Sequence, residues 1–145
     1  MKTVKLILGI CSSVLVVGFA FISGAEDFVG AQFMPQKEAK KKWGLVAFDA
    51  KSFKKSSEKT KGAMAAQAVE KSAFVGHDML KVRDQMGDPD SYFFSDTIYA
   101  YMITSPAKPG QEAWQLVFIP DEKLEKVADV KIHKKCCYET PAWAK

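Results

Sequence analysis

Side chains suited to metal or redox chemistry are scarce in this chain. Its 145 residues include only two histidines and three cysteines. His77 and His133 lie far apart, so the one local cluster is His133 with Cys136 and Cys137 in "HKKCCYE". Structural zinc calls for four ligands at repeated spacing, and adjacent cysteines on an extended chain point in different directions. No metal site is expected there. The two-residue spacer of a C-x-x-C redox pair is also missing. So are the G-x-S-x-G, H-E-x-x-H, P-loop and dinucleotide-binding patterns. Asp84, Asp88 and Asp90 gather near one helix end, but without the ligand spacing and closing glutamate of a calcium loop. Helix-stop and turn chemistry accounts for them. There is no internal repeat. The formal charge of +4 and pI of about 8.9 fall well short of a nucleic-acid-binding extreme. These absences predict no enzyme, no cofactor and no nucleic-acid partner.

What is present is an ordinary globular balance, 48% apolar and 26% charged, in a length that holds one domain plus a targeting segment. Lys2 and Lys5 precede an uncharged run from Leu6 to Ile22, and Ser23-Gly24-Ala25 supplies small residues. That layout is a secretory signal peptide, residues 1–25, with cleavage after Ala25. The run also approaches the length that crosses a bilayer, so an uncleaved N-terminal membrane helix stays open. Cys11 follows bulky Ile10 and precedes most of the apolar run, the reverse of a lipobox, and lipidation is not expected. In either case the remainder is exported, to the periplasm or to its face of the inner membrane. Losing residues 1–25 removes two lysines and no acids, which takes +4 to +2. Cys136 and Cys137 then become candidates for a disulfide in an oxidising compartment.

Residues 26–59 form a lysine-rich lead-in. From Lys37 to Lys61 there are nine lysines against Glu38, Asp49 and Glu58. One reading is a solvated, partly ordered segment whose aromatics pack on the domain. The other is attachment to anionic lipid or envelope polymer through Lys40, Lys41, Lys42 and Trp43, with Phe33, Phe48 and Phe53 as further interfacial anchors.

Residues 60–135 carry the regular patterns, and residues 136–145 are a C-terminal tail. From Thr60, Met64 with Ala68 and Ala65 with Val69 predict a short packing helix. In "GHDMLKVRDQMGDPD", Gly76 allows a positive-φ link and Asp78 suits an N-cap whose carboxylate accepts first-turn amides. Met79, Val82 and Met86 form the buried stripe, and Gly87 and Pro89 stop the helix. The period then changes to two. Ile98, Ala100 and Met102 alternate with Tyr99, Tyr101 and Ile103. Trp114, Leu116 and Phe118 share a face, as do Ala128, Val130 and Ile132. The predicted fold is α+β, two short N-terminal helices packed on a three-stranded antiparallel β-meander.

The order of these elements, with the run Gly76, Asp78, Val82, Met86, Gly87 and Pro89, resembles the BamE/SmpA-like family of small exported envelope proteins. That family's hallmark is G-x-[TS]-x-x-x-V-x-x-x-[LM]-G-x-P, and its fold is shared with β-lactamase-inhibitor-like proteins. The resemblance spans roughly residues 60–133. It implies an envelope protein that works by binding other proteins, some relatives acting in outer-membrane barrel assembly. The departures are Asp78 at the hydroxyl position, the missing lipobox and the long lysine-rich lead-in.

Aromatic residues around the first two strands are the better functional candidates. Two helices on one side of a sheet leave the other side free, and aromatics are enriched at protein contacts. Tyr99 and Tyr101 are the candidate protein-binding residues, with a core role as the competing assignment. The function expected is a non-enzymatic exported interaction module with an envelope protein partner. Two alternatives remain: a membrane-anchored module on an anionic surface, and a secreted inhibitor-like binder of an enzyme.

Overall fold

Helix-breaking residues and a switch to period-two alternation divide the described residues into eight elements. A computed structural model describes Phe28, residues 30–106 and residues 111–135. The helices are α1 (Gln36–Trp43), α2 (Ala50–Phe53), α3 (Glu58–Glu70) and α4 (Met79–Met86). The strands are β1 (Ser91–Phe93), β2 (Ser95–Thr104), β3 (Ala113–Pro120) and β4 (Val127–Lys135). The strands pair antiparallel in the order β1-β2-β3-β4. The α+β class and the three expected strands are therefore present. A three-residue strand precedes them, and two more helices lie upstream.

Those two helices come from the lysine-rich lead-in, which belongs to the domain. Pro35 opens α1, Glu38 sits at its positive end, and Lys40, Lys41 and Lys42 sit at its negative end, where each charge suits the helix dipole. Asp49 caps α2 by accepting the Lys51 amide at 3.1 Å. Phe53 is fully buried, while Trp43 and Phe48 pack against the main core. The sequence pattern hid this because α1 buries only Ala39 fully and leaves its lysines in solvent.

Helix α3 begins two residues before the expected Thr60, with Ser57 Oγ accepting the Thr60 amide at 3.3 Å. It buries Gly62, Ala63, Met64, Ala65, Ala66 and Ala68, more than one stripe, because α1 lies on one side and the sheet on another. Small side chains permit that double approach. A Cβ placed on Gly62 would lie 2.4 Å from Trp43 Cγ, so the indole occupies the space that glycine leaves. Helix α4 follows its expected limits and buries Met79, Val82 and Met86. Asp78 holds the N-cap position, but its carboxylate makes no cap hydrogen bond. The Met79 amide instead donates to the Glu125 carbonyl at 2.8 Å, in a short bridge between residue 78 and Lys126.

The sheet is buried on both faces. Tyr101, Ile103, Trp114, Leu116, Phe118, Val130 and Ile132 face the helices. Phe93, Ile98, Ala100, Val117 and Ile119 form a second cluster covered by Phe28, Ala31 and Phe33. Thus the face expected to be free carries an apolar strap of Phe28, Ala31 and Phe33. In β4 the alternation is corrected at its start. The register shifts where Pro120 pairs with Val127, so Val127 joins Val130 and Ile132 in the core and Ala128 is exposed.

On the strapped face Gln115 is buried to 1% exposure, yet fully engaged. Its Oε1 accepts from Ser91 Oγ, and its Nε2 lies 3.2 Å from the Tyr92 carbonyl and 3.0 Å from His133 Nδ1. His133 also packs edge-on against Phe33 and Phe93. This burial lowers the imidazole pKa below its usual 6.5. His133 is thereby a structural side chain.

Candidate functional site

Backbone groups along the outer edge of β4, and on the part of β2 that β1 does not cover, are already engaged. The outer edge of β4 is bridged by Phe33 to His133 and by residue 78 to Lys126. Between them the Val130 amide donates to Asp129 Oδ1 at 2.7 Å. On β2, beyond the reach of β1, the Met102 amide donates to Asp90 Oδ1 at 2.8 Å, and just after the strand the Ser105 amide donates to Glu58 Oε1 at 2.8 Å. Carboxylates therefore occupy donors that a partner strand would need.

Tyr101 is not available to a partner either. It is 0% exposed, packed edge-on against Phe118, and its hydroxyl donates to the Gly87 carbonyl at 2.9 Å. Its assignment as a binding residue is corrected to core: β2 turns this side chain under α4, where burial raises the phenol pKa. The same turn is held by Lys54, donating to the Asp88 carbonyl at 2.8 Å, and by an Arg83–Asp88 ion pair at 2.7 Å. Asp88 and Asp90 thus serve chain path and edge capping.

Tyr99, two residues earlier, is half-buried and reaches a shallow cleft of about 470 Å³ between α4 and the turn that joins β3 to β4. Leu80 flanks this cleft at 64% exposure and Leu124 at 53%. Asp78, Asp84, Glu125 and Lys81 complete its rim. Leu80 stands outside the Met79–Val82–Met86 stripe, so α4 directs it into solvent. Leu124 adopts a left-handed backbone with φ of 60°, a conformation that costs a non-glycine residue about 1 kcal/mol. The turn is built firmly enough to hold it there. The Leu124 amide donates to the Asp121 carbonyl at 2.9 Å, and Asp121 Oδ1 accepts the Glu125 and Lys126 amides at 2.9 and 3.2 Å. Those amides lower the Asp121 pKa below its ordinary value. This hydrogen-bonded turn thus presents an exposed leucine in a conformation that leucine seldom adopts.

Sequence reasoning selected Tyr99 and missed both leucines. The signal was visible in each case. Leu80 is an apolar residue off the helical stripe, and Leu124 is the single apolar residue within "DEKLEK".

The candidate attachment residues fall at the opposite pole of the helical layer. Lys40 pairs with Glu70 at 3.7 Å. Lys42 lies over the Trp43 and Trp114 rings at 5.2 and 5.0 Å and reaches Glu112 at 4.0 Å. Trp43 stands edge-on to Trp114 with its ring against α3. Lys41 is exposed and lines a hollow of about 590 Å³ with Phe33, Met34, Glu38 and Glu112. Trp43, Phe48 and Phe53 all turn toward the domain, and Phe33 covers the second sheet face, so these aromatics are committed to packing. Cys136 and Cys137 lie outside the described residues, as do Cys11 and the N-terminal apolar run.

Among the described residues no three histidine, cysteine or acidic side chains gather as metal ligands, and no helix is long and apolar enough to cross a membrane. Compared with models of known protein families, with curated proteins and with solved structures, the chain matches none.

Proposed function

We propose that this chain is an exported, non-enzymatic envelope protein that acts as a protein-interaction module. Its docking surface is the cleft bounded by Leu80, Tyr99 and Leu124. The observation that carries this reading is the pair of exposed leucines beside a half-buried tyrosine, one leucine held in a strained conformation by a rigid turn. Burying the exposed parts of both leucines would contribute about 2–3 kcal/mol before the cost of ordering, enough for transient recognition. With donors on β4 and on the end of β2 already engaged, side-chain docking is favoured over strand addition there. The sequence resemblance to BamE/SmpA-like proteins is the support for a role in outer-membrane or envelope assembly and maintenance. It brings no partner identity with it.

Photo-cross-linking from the envelope tests the reading. A photoreactive side chain at position 80 is expected to give discrete adducts, whereas one at Lys37, an exposed residue on α1, gives none. Equal adduct patterns from both positions would remove the cleft from consideration. Export has its own readout: the intact mass of the chain recovered from its host should lack residues 1–25, and retention of them would favour the membrane-anchored alternative.

A further inference from the structure

The charge around the cleft is opposite in sign to the chain as a whole. The formal charge is +4, yet the rim sets Asp78, Asp84 and Glu125 against Lys81 alone. None of these three carboxylates has an ion-pair partner among the described residues. Lys81 Nζ is turned to His77 Nδ1 at 3.2 Å, which leaves the acids facing solvent uncompensated. On the rest of the domain several carboxylates do find cations, as Glu70, Asp88, Asp129 and Glu112 show. An apolar floor inside a negative rim selects by two separate forces. The floor takes an apolar side chain without regard to charge, and the rim attracts cations and repels anions within roughly one Debye length.

We infer that the occupant is a segment of a partner protein in which an apolar side chain is flanked by lysine or arginine. The apolar side chain seats on Leu80, Tyr99 and Leu124, and the flanking cations face Asp78, Asp84 and Glu125. This rests on the docking reading above and adds the chemistry of the partner. A second copy of the chain, offering its lysine-rich α1, is the competing occupant.

The purified chain, labelled with ¹⁵N, is titrated with a synthetic peptide of about twelve leucine and lysine residues, roughly three helical turns. A matched peptide carries glutamate in place of lysine. Amide shifts at Leu80, Tyr99, Leu124 and their neighbours are expected with the lysine peptide and not with the glutamate peptide. Asp84→Asn combined with Glu125→Gln should raise the Kd about fivefold in dilute buffer, from two charges lost at about 8 Å, and far less at about 0.3 M salt. Leu80→Ser should weaken binding at both salt concentrations. All three positions are exposed, and circular dichroism checks that each variant is folded. If Leu80→Ser loses binding while the charge variant and the glutamate peptide behave like their counterparts, the charge inference fails and the docking reading stands. Shifts that map away from the cleft overturn both. A concentration-dependent dimer that shifts the same amides without peptide assigns the cleft to a second copy and overturns the inference.

Discussion

Replacing Gly62 by alanine sets two effects of opposite sign against each other. Helix propensity alone favours the change by about 1 kcal/mol, since Gly62 lies inside α3. Packing opposes it. The added Cβ would lie 2.4, 2.5 and 2.7 Å from three carbons of the Trp43 ring, whereas unstrained carbon contacts lie near 3.5–4.0 Å. The indole must therefore retreat by about 1 Å, away from a position it holds edge-on to Trp114 with Lys42 over both rings. Overpacking of this kind typically costs about 1–3 kcal/mol, and the upper half of that range applies where the neighbour is a rigid ring wedged between helices. The net expectation is a loss of about 1–2 kcal/mol, or a Tm lower by roughly 4–8 °C for a domain of this size. Thermal and urea denaturation of both proteins measure it. In a Trp43→Leu background the same substitution should become neutral or stabilising, because the obstructing ring is gone. A rise in Tm with Trp43 intact would refute the reasoning. It would show that α1 does not press on α3, and with it the claim that the lysine-rich segment is part of the domain would fall.

Three further outcomes follow from the same contacts. Tyr101→Phe removes the hydroxyl that donates to Gly87 and should cost about 1–2 kcal/mol, read as a lower denaturation midpoint; an unchanged midpoint would mean the bond contributes nothing. His133 has a folded-state pKa below its unfolded value of about 6.5, so the unfolded chain takes up the proton first. Its contribution to stability is then complete above about pH 6.5 and declines as pH falls toward the folded pKa, and His133→Gln should flatten the Tm profile across that window. Asp129→Ala uncovers the Val130 amide on the edge of β4, and a measurable rise in concentration-dependent association by light scattering is expected, with no rise if that edge is already closed by the two bridges.

The regular half of the fold was legible in the sequence for definite physical reasons. Gly87 and Pro89 stop α4 through local backbone chemistry, and strict alternation in β2 and β3 sorts their side chains onto two faces. The elements that escaped depend on tertiary context. Helix α1 carries almost no apolar stripe, because its place is secured by Trp43 filling the space over Gly62. The second sheet face looked free because the strap of Phe28, Ala31 and Phe33 is distant in sequence from Phe93 and Val117. Tyr99 and Tyr101 lie on the same face of β2 and share a residue type, yet only Tyr101 is fully buried, with its hydroxyl on the Gly87 carbonyl, a difference of position that periodicity cannot express. Likewise the Asp78 carboxylate was unneeded as a cap once the Glu125 carbonyl arrived from the β3–β4 turn.

Leu124→Gly addresses the docking claim most directly. Glycine relieves the left-handed strain but adds unfolded-state entropy, so these effects, each about 1 kcal/mol, should leave stability within about 0.5 kcal/mol of the original. The decisive measurement is the yield of the position-80 cross-linked adduct in that background. The adduct should disappear, or fall about tenfold, from a domain that melts as before. An undiminished adduct would show that Leu124 takes no part in docking, and the cleft would cease to be the functional surface of this protein.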